Sequence, residues 1–184
     1  MHRGRQILSP ERFSITLKRL ASQIIENYVS SEDILIIGIQ EKGVILADRL
    51  IEIINVFEPK RKVSFGKLDI TFYRDDFRMR QTPLTANATR IDFDIESKRI
   101  LLIDDVLYTG RTIHAALSAL QDFGRPAKVE LLTMVDRRFN RHLPIKSDYT
   151  GLQVDALDDA YVKVQWKHLD GQDKILIFSA NTND

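Results

Sequence analysis

The residues with the most chemistry to offer lie in one run, ILLIDDVLYTGRTIHAAL, from Ile100 to Leu117. Four apolar residues lead straight into two adjacent carboxylates, Asp104 and Asp105. After Val106 and Leu107 come Tyr108, Thr109, Gly110, Arg111 and Thr112, and then a helical apolar pattern. A glycine-containing turn feeding a helix N-terminus offers unpaired backbone N–H groups and the positive end of the helix dipole. Thr109 and Thr112 add hydroxyl donors, and Gly110 lets the backbone approach closely. That is a cradle for phosphate. Carboxylates repel phosphate, so the acids should face sugar hydroxyls or a hydrated Mg²⁺ instead. A phosphorylated sugar satisfies both halves of the motif. Taken alone, an Asp pair at a strand end also reads as a helix cap or a metal pocket. Neither G-x-x-x-x-G-K-[ST] nor G-x-G-x-x-G occurs, which argues against a P-loop nucleotidase.

Composition narrows the class. The chain has 184 residues, 43% hydrophobic and 29% charged, the profile of one ordinary globular domain with room for a sizeable core. The formal net charge is +1, so no global field favours nucleic acid or a membrane surface. With no cysteine, thiol nucleophiles, disulfides and Cys-based metal sites are excluded, which suits a cytoplasmic protein. The first residues, MHRGRQILSPERF, lack the apolar stretch of a signal peptide. Runs such as ILIIGI are too short to span a bilayer, so no membrane partner is expected.

The elements that must position the motif are legible from periodicity. Ser9-Pro10 reads as a helix start. Phe13, Leu17, Leu20, Ala21, Ile24, Ile25 and Tyr28 follow at helical spacing. ILIIGI (Ile34 to Ile39) reads as a strand buried on both faces. Gly43 opens a second helix, with Val44, Ala47, Leu50, Ile51 and Ile54 on one face, ending near Pro59. In KVSFGKLDITFYRDDF, Val63 and Phe65 share one phase, and Leu68, Ile70 and Phe72 share another. A one-residue slip of phase predicts a β-bulge at Gly66. The polar stretch from about Arg74 to Arg90 predicts a long functional loop. RILLID predicts a buried strand that ends on the acids. A helix striped by Ile113, Ala116, Leu117 and Leu120 follows, and Gly124 and Pro126 close it. KVELLTMV predicts the next strand, and YVKVQW and KILIF late strands at a sheet edge or in a flap. Asp170-Gly171 marks the turn between those two. Helices alternating with short apolar strands predict an α/β fold around a mainly parallel sheet.

The apolar strand, the two acids, the spacer and Thr-Gly-x-Thr together resemble the phosphoribosyl pyrophosphate (PRPP) motif of type I phosphoribosyltransferases. LDITFYRDDF, DDVLYTGRT, FGRPAKVELLTMVDR and LPIKSDY further resemble the PyrR family, bifunctional pyrimidine operon regulators and uracil phosphoribosyltransferases. The similarity runs from about Ile15 to Phe178. It implies a single domain over residues 1–184 with the type I phosphoribosyltransferase fold: a central mainly parallel sheet flanked by helices. A flexible loop would span about residues 74–90, and a small hood about 137–170 plus the N-terminal segment.

The resemblance also implies roles. Asp104 and Asp105 would hold the ribose hydroxyls of PRPP. Tyr108, Thr109, Gly110, Arg111 and Thr112 would wrap its 5′-phosphate. Glu41, Lys42 and Gly43, in the turn IQEKG, would form the pyrophosphate loop, with the Glu41 side chain turned to solvent. Arg74, in Tyr73-Arg74-Asp75-Asp76, would meet the pyrophosphate. Val135, Asp136 and Arg137 would form the base corner. Mg²⁺ would arrive with PRPP, with Asp104 and Asp105 near it. The implied reaction transfers a phosphoribosyl group to a nucleobase, uracil first, with another base as the alternative. A homodimer or larger assembly is implied as well. This chain departs from the family's usual DRGHRELP, reading DRRFNRHLP, and GLQVDA with Asp155, Asp158 and Asp159 makes the following region acidic. Arg138, Arg141, His142 and Lys146 still form a basic cluster with the charge to meet RNA phosphates. The second function that the resemblance implies is a UMP-sensing RNA-binding regulator of pyrimidine gene expression with little catalysis.

Overall fold

The apolar runs read from the sequence become parallel strands covered on both faces by helices. The computed structural model describes residues 4–29, 33–74, 87–156 and 160–178. In chain order these form β1 (Arg5–Leu8), α1 (Pro10–Asn27), β2 (Ile34–Ile39), α2 (Lys42–Phe57) and β3 (Val63–Leu68). A 3₁₀ turn (Thr71–Tyr73) precedes β4 (Arg99–Leu107), α3 (Arg111–Leu120), β5 (Lys128–Arg137) and β6 (Tyr149–Val154). β7 (Tyr161–Gln165), α4 (Lys167–Asp170) and β8 (Lys174–Phe178) complete the described chain.

The main sheet has five strands in the order β3-β2-β4-β5-β6, every pairing parallel. From β2 the chain steps outward to β3, then returns across β2 to β4 and proceeds the other way. That reversal leaves a crevice beyond the carboxyl ends of β2 and β4, where open α/β sheets bind ligands. Residues of α1 and α2 fill the core on one face, and residues of α3 fill it on the other. Ser9 caps α1 by accepting the Arg12 N–H, and Pro10 stands at its first turn, as the Ser-Pro start predicts.

Three expectations change. No bulge interrupts β3: its register against β2 is unbroken from Ile34↔Val63 to Ile39↔Leu68. Val63 and Phe65 pack into the core on the α1–α2 face, whereas Leu68 and Ile70 join the core on the α3 face. Both faces are apolar, so a shift of hydrophobic phase needs no shift of backbone. The strand expected to end on the acids continues to Leu107, leaving Asp104 and Asp105 inside it. Tyr149–Val154, within the region anticipated as hood, is a fifth strand of the main sheet.

The two late strands predicted from YVKVQW and KILIF pair antiparallel and are joined by β1, giving a separate sheet ordered β1-β8-β7. Trp166, fully buried, meets Phe13 of α1 edge to face with ring centroids 5.4 Å apart. Arg49 of α2 pairs with Asp173 at 2.7 Å. The small sheet is thereby seated on the first two helices. Among the described residues, no helix is long and apolar enough to cross a membrane.

Candidate active site

The acid pair sits where β4 loses one neighbour. Pairing with β2 stops at Gly38↔Ile103, while pairing with β5 runs on to Leu107↔Asp136. One flank of β4 is thus open beside Asp104 and Asp105. Asp104 is buried, and its Oδ1 accepts the Asp105 N–H at 2.9 Å. Burial, and then the charge of Asp105, push the Asp104 carboxyl above its ordinary range, and Lys42 and Arg74 oppose the shift. Burial likewise raises Asp105, against the pull of Lys42. The Lys42 Nζ lies 3.6 Å from Asp105 Oδ2. One buried and one partly buried carboxylate facing one lysine leave excess negative charge, an environment that favours hydroxyl donors or a cation. Among the described residues no group of three His, Cys, Asp or Glu side chains could cage a metal. A cation here would need donor atoms brought by the ligand.

Lys42 reaches the acids because of its neighbour. A Cβ at Gly43 would stand 2.3 Å from the Ile103 carbonyl oxygen and 3.1 Å from Asp104 Cα. Only glycine lets α2 begin this close to β4. Helix α2 starts at Lys42, one residue ahead of the glycine expected to open it. Glu41 occupies the N-cap position, exposed and making no side-chain cap bond, and the Gln40–Glu41 peptide is cis.

The anticipated phosphate turn lies on the other side of the crevice. Gly110 is the N-cap of α3 in the left-handed region, φ 92° and ψ −6°, and no side chain caps the helix. Thr109 Oγ1 accepts the Arg111 N–H at 3.4 Å. The Thr109 carbonyl is taken from behind by the N–H groups of His142 and Leu143, at 3.0 and 3.2 Å. The carbonyl is therefore tied back behind the turn, and Gly110 itself brings no capping side chain to α3.

The residues after Val135 brace this turn. Val135, Asp136 and Arg137 form the buried end of β5. Asp136 pairs with Arg141, which also donates to the Tyr108 carbonyl. The Arg137 guanidinium lies 3.8 Å from the centroid of the Tyr108 ring. Asp136 is thus an ion-pair partner. Of the basic cluster, Arg138 bonds Asp155 at 2.6 Å and Arg141 is committed to Asp136. His142 lines a cavity of about 310 Å³ with Tyr73, Arg111, His114 and Leu143, and Lys146 is exposed. Arg138 and Arg141 therefore stand beside carboxylates, whereas the RNA reading needs open cations. Asp158 and Asp159 lie outside the described residues.

Arg74 follows the 3₁₀ turn, where the Tyr73 hydroxyl donates to Asp122 and has its pKa raised by that bond. Asp75 and Asp76 lie outside the described residues. Sequence reading did not single out Gln40 or Asp69, which frame this side of the crevice. For Asp69 a signal existed: Asp-Ile-Thr directly after a strand is an Asx-turn pattern.

Comparisons agree with this geometry. Residues 4–170 match the phosphoribosyl transferase domain family. A bifunctional protein PyrR from Elusimicrobium minutum is 43% identical over 173 residues, covering 94% of this chain and 96% of that protein. Another from Chloroflexus aurantiacus is 39% identical over 184 residues, 100% of both. A hypoxanthine-guanine phosphoribosyltransferase structure from Bacillus anthracis superposes with TM-score 0.69 at 18% identity, covering 97% of this chain and 99% of that one. A hypoxanthine phosphoribosyltransferase from Staphylococcus aureus gives TM-score 0.68 at 20% identity, covering 97% and 93%. The two solved structures establish the fold, and the closer relatives narrow the kinship. An acid pair, an uncapped left-handed glycine turn and a lysine loop meet at the switch point of that fold, and the chain belongs to the phosphoribosyltransferase family, among its PyrR members.

Proposed function

We propose that the protein transfers the 5-phosphoribosyl group of PRPP to N1 of uracil, giving UMP and pyrophosphate. The observation that carries this reading is the crevice between β2 and β4, where Lys42 stands 3.6 Å from Asp105 and the Gly110 turn caps α3. Asp104 and Asp105 bind the ribose hydroxyls. Tyr108, Thr109, Gly110, Arg111 and Thr112 surround the 5′-phosphate. Lys42 and Gly43, with Glu41 turned outward, receive pyrophosphate, and Arg74 adds positive charge. Val135, Asp136 and Arg137 shape the base corner, under the sheet β1-β8-β7 as hood.

In the reaction the ribose C1–oxygen bond breaks and pyrophosphate departs with the bonding pair. The base nitrogen then bonds C1 and loses its proton. The transition state is oxocarbenium-like, so water must be excluded and the departing charge stabilised. No nucleophilic side chain is required. Mg²⁺ fits the site, because the paired carboxylates, both raised above their ordinary range, are short of positive charge. When bound with PRPP it supplies charge to the leaving group. The protein is read as cytoplasmic and as a homodimer or larger.

The test is pyrophosphate release with PRPP, Mg²⁺ and each free base in turn. A rate with uracil alone supports the reading. A rate with another base only keeps the PRPP site and replaces the acceptor. No rate with any base overturns the enzymatic reading. The shared name of the relatives, bifunctional protein PyrR, favours a second reading: RNA binding controlled by UMP. Titration with pyrimidine leader RNA at low salt, with and without UMP, checks it, and no binding removes it.

A further inference from the structure

Asp69 follows β3 by one residue and is buried, 8% exposed. Its Oδ1 accepts the Thr71 N–H at 2.8 Å, and its Oδ2 accepts the Asn87 N–H at 3.0 Å. Its own N–H donates to Thr89 Oγ1 at 3.0 Å. One carboxylate therefore grips both the chain leaving β3 and the chain returning towards it. The outgoing side leads through the 3₁₀ turn to Arg74. The returning side is fastened again at Lys67 and Arg90, whose N–H groups donate to each other's carbonyls at 2.7 and 2.8 Å.

The returning side also meets the lysine loop. Gln40 donates its N–H to the Leu68 carbonyl at 2.9 Å and its Nε2 to the Ala88 carbonyl at 2.8 Å. Gln40 is the residue from which Glu41, Lys42 and Gly43 project. Contacts thus run without a gap from Asp69, through residues 87–89, to Gln40 and the start of α2.

We propose that Asp69 and Gln40 are positioning residues that act as one clamp, holding Lys42 and Arg74 in register for the pyrophosphate end of PRPP. This rests on the reading of the crevice as a PRPP site. Neither residue need touch the reacting atoms. A carboxyl side chain suits the task because both of its oxygens accept here, one from Thr71 and one from Asn87. An amide at position 69 would set a donor against one of the two N–H groups.

The experiment compares wild type, Asp69→Asn, Gln40→Ala and the double variant in the full chain. Asp69→Asn should raise KM for PRPP about tenfold, the loss of roughly one hydrogen bond to a charged group. KM for the base should stay within about twofold, because the base corner lies on β5. Gln40→Ala, a partly exposed change that leaves the core intact, should raise KM for PRPP in the same way. The double variant should be no worse than the more affected single variant, the mark of residues acting as a unit. Unchanged KM for PRPP, equal rises in both KM values, or strictly additive losses would each overturn the clamp. Hydrogen exchange decides the same point without substrate. Protection at Thr71, Asn87 and Gln40 should fall together in Asp69→Asn, and wild-type protection there refutes the proposal. Wild-type protein that turns over no base removes the enzymatic reading, and the exchange result still judges the clamp.

Discussion

Asp104 and Asp105 are expensive residues in the absence of a ligand. Both carboxyls are raised above the ordinary value, Asp104 most by burial and then by its neighbour. Above an ordinary carboxylate pKa near 4, the folded state then holds protons that the unfolded state has lost. The slope of stability against pH from these groups is negative in that window, so they cost stability as pH rises and restore it on acidification. Asp104→Asn should accordingly melt higher than wild type at about pH 8, with the gain shrinking towards about pH 5; thermal melts across that range check it. Function runs the other way. Asp105→Asn should lose turnover by about a hundredfold with its far-ultraviolet circular dichroism unchanged, because the charge proposed to face the ribose is gone. The two arginines of the basic cluster should separate in the same spirit. Arg141 and Asp136 are largely buried, side chains 19% and 9% exposed, whereas Arg138 and Asp155 are 48% and 50% exposed. Arg141→Ala strands a buried carboxylate and should cost about 3 kcal/mol. Arg138→Ala should cost less than about 1 kcal/mol. Denaturant melts of both variants, set beside their RNA titrations, tell a structural arginine from a phosphate contact.

At the scale of elements, the site depends on how two helices are allowed to begin. Helix α2 begins close against β4 because Gly43 has no Cβ to strike the Ile103 carbonyl. Helix α3 begins from a left-handed glycine that has no side chain with which to cap it. A side chain at Gly110 meets two obstacles: a φ of 92°, and Ile145 and Leu143 at 3.3 and 3.4 Å from the new Cβ. Gly110→Ala should therefore cost about 1–2 kcal/mol of stability. KM for PRPP should rise with little change in KM for the base, because the distortion falls on the turn proposed to hold the phosphate. Steady-state kinetics with each substrate varied in turn checks that split.

Across the whole molecule, the small sheet is assembled from the two ends of the described chain and held by Trp166. That residue belongs to the same buried core as α1, α2 and the strands of the main sheet. The small sheet should therefore not melt on its own. Trp166 is the single tryptophan of the sequence, so its fluorescence reports the small sheet, while far-ultraviolet dichroism reports mainly the helices. The two thermal transitions should coincide. An earlier fluorescence transition would show that the small sheet opens independently.

The sequence by itself determined the α/β class, the five strands β2, β4, β5, β7 and β8, the first three helices, and the place of the acid–glycine motif between strand and helix. Those signals are local: a period, a run, a turn residue next to a carboxylate. It did not determine what lies beside what. Tyr149–Val154 became a central-sheet strand because Gly151 lets it lie tightly against Met134, where a Cβ would meet the carbonyl oxygen at 2.5 Å. Arg5–Leu8 became a strand only because β8 was there to pair with it. The phase slip at Gly66 looked like a bulge because sequence shows which positions are apolar, not that both faces of a sheet are covered. Arg141 looked like an open cation because its partner Asp136 is five residues away, outside any helical spacing. Lys42 and Asp105 are 63 positions apart, yet 3.6 Å separates their charges. Only the reversal of strand order between β2 and β4 could bring them together.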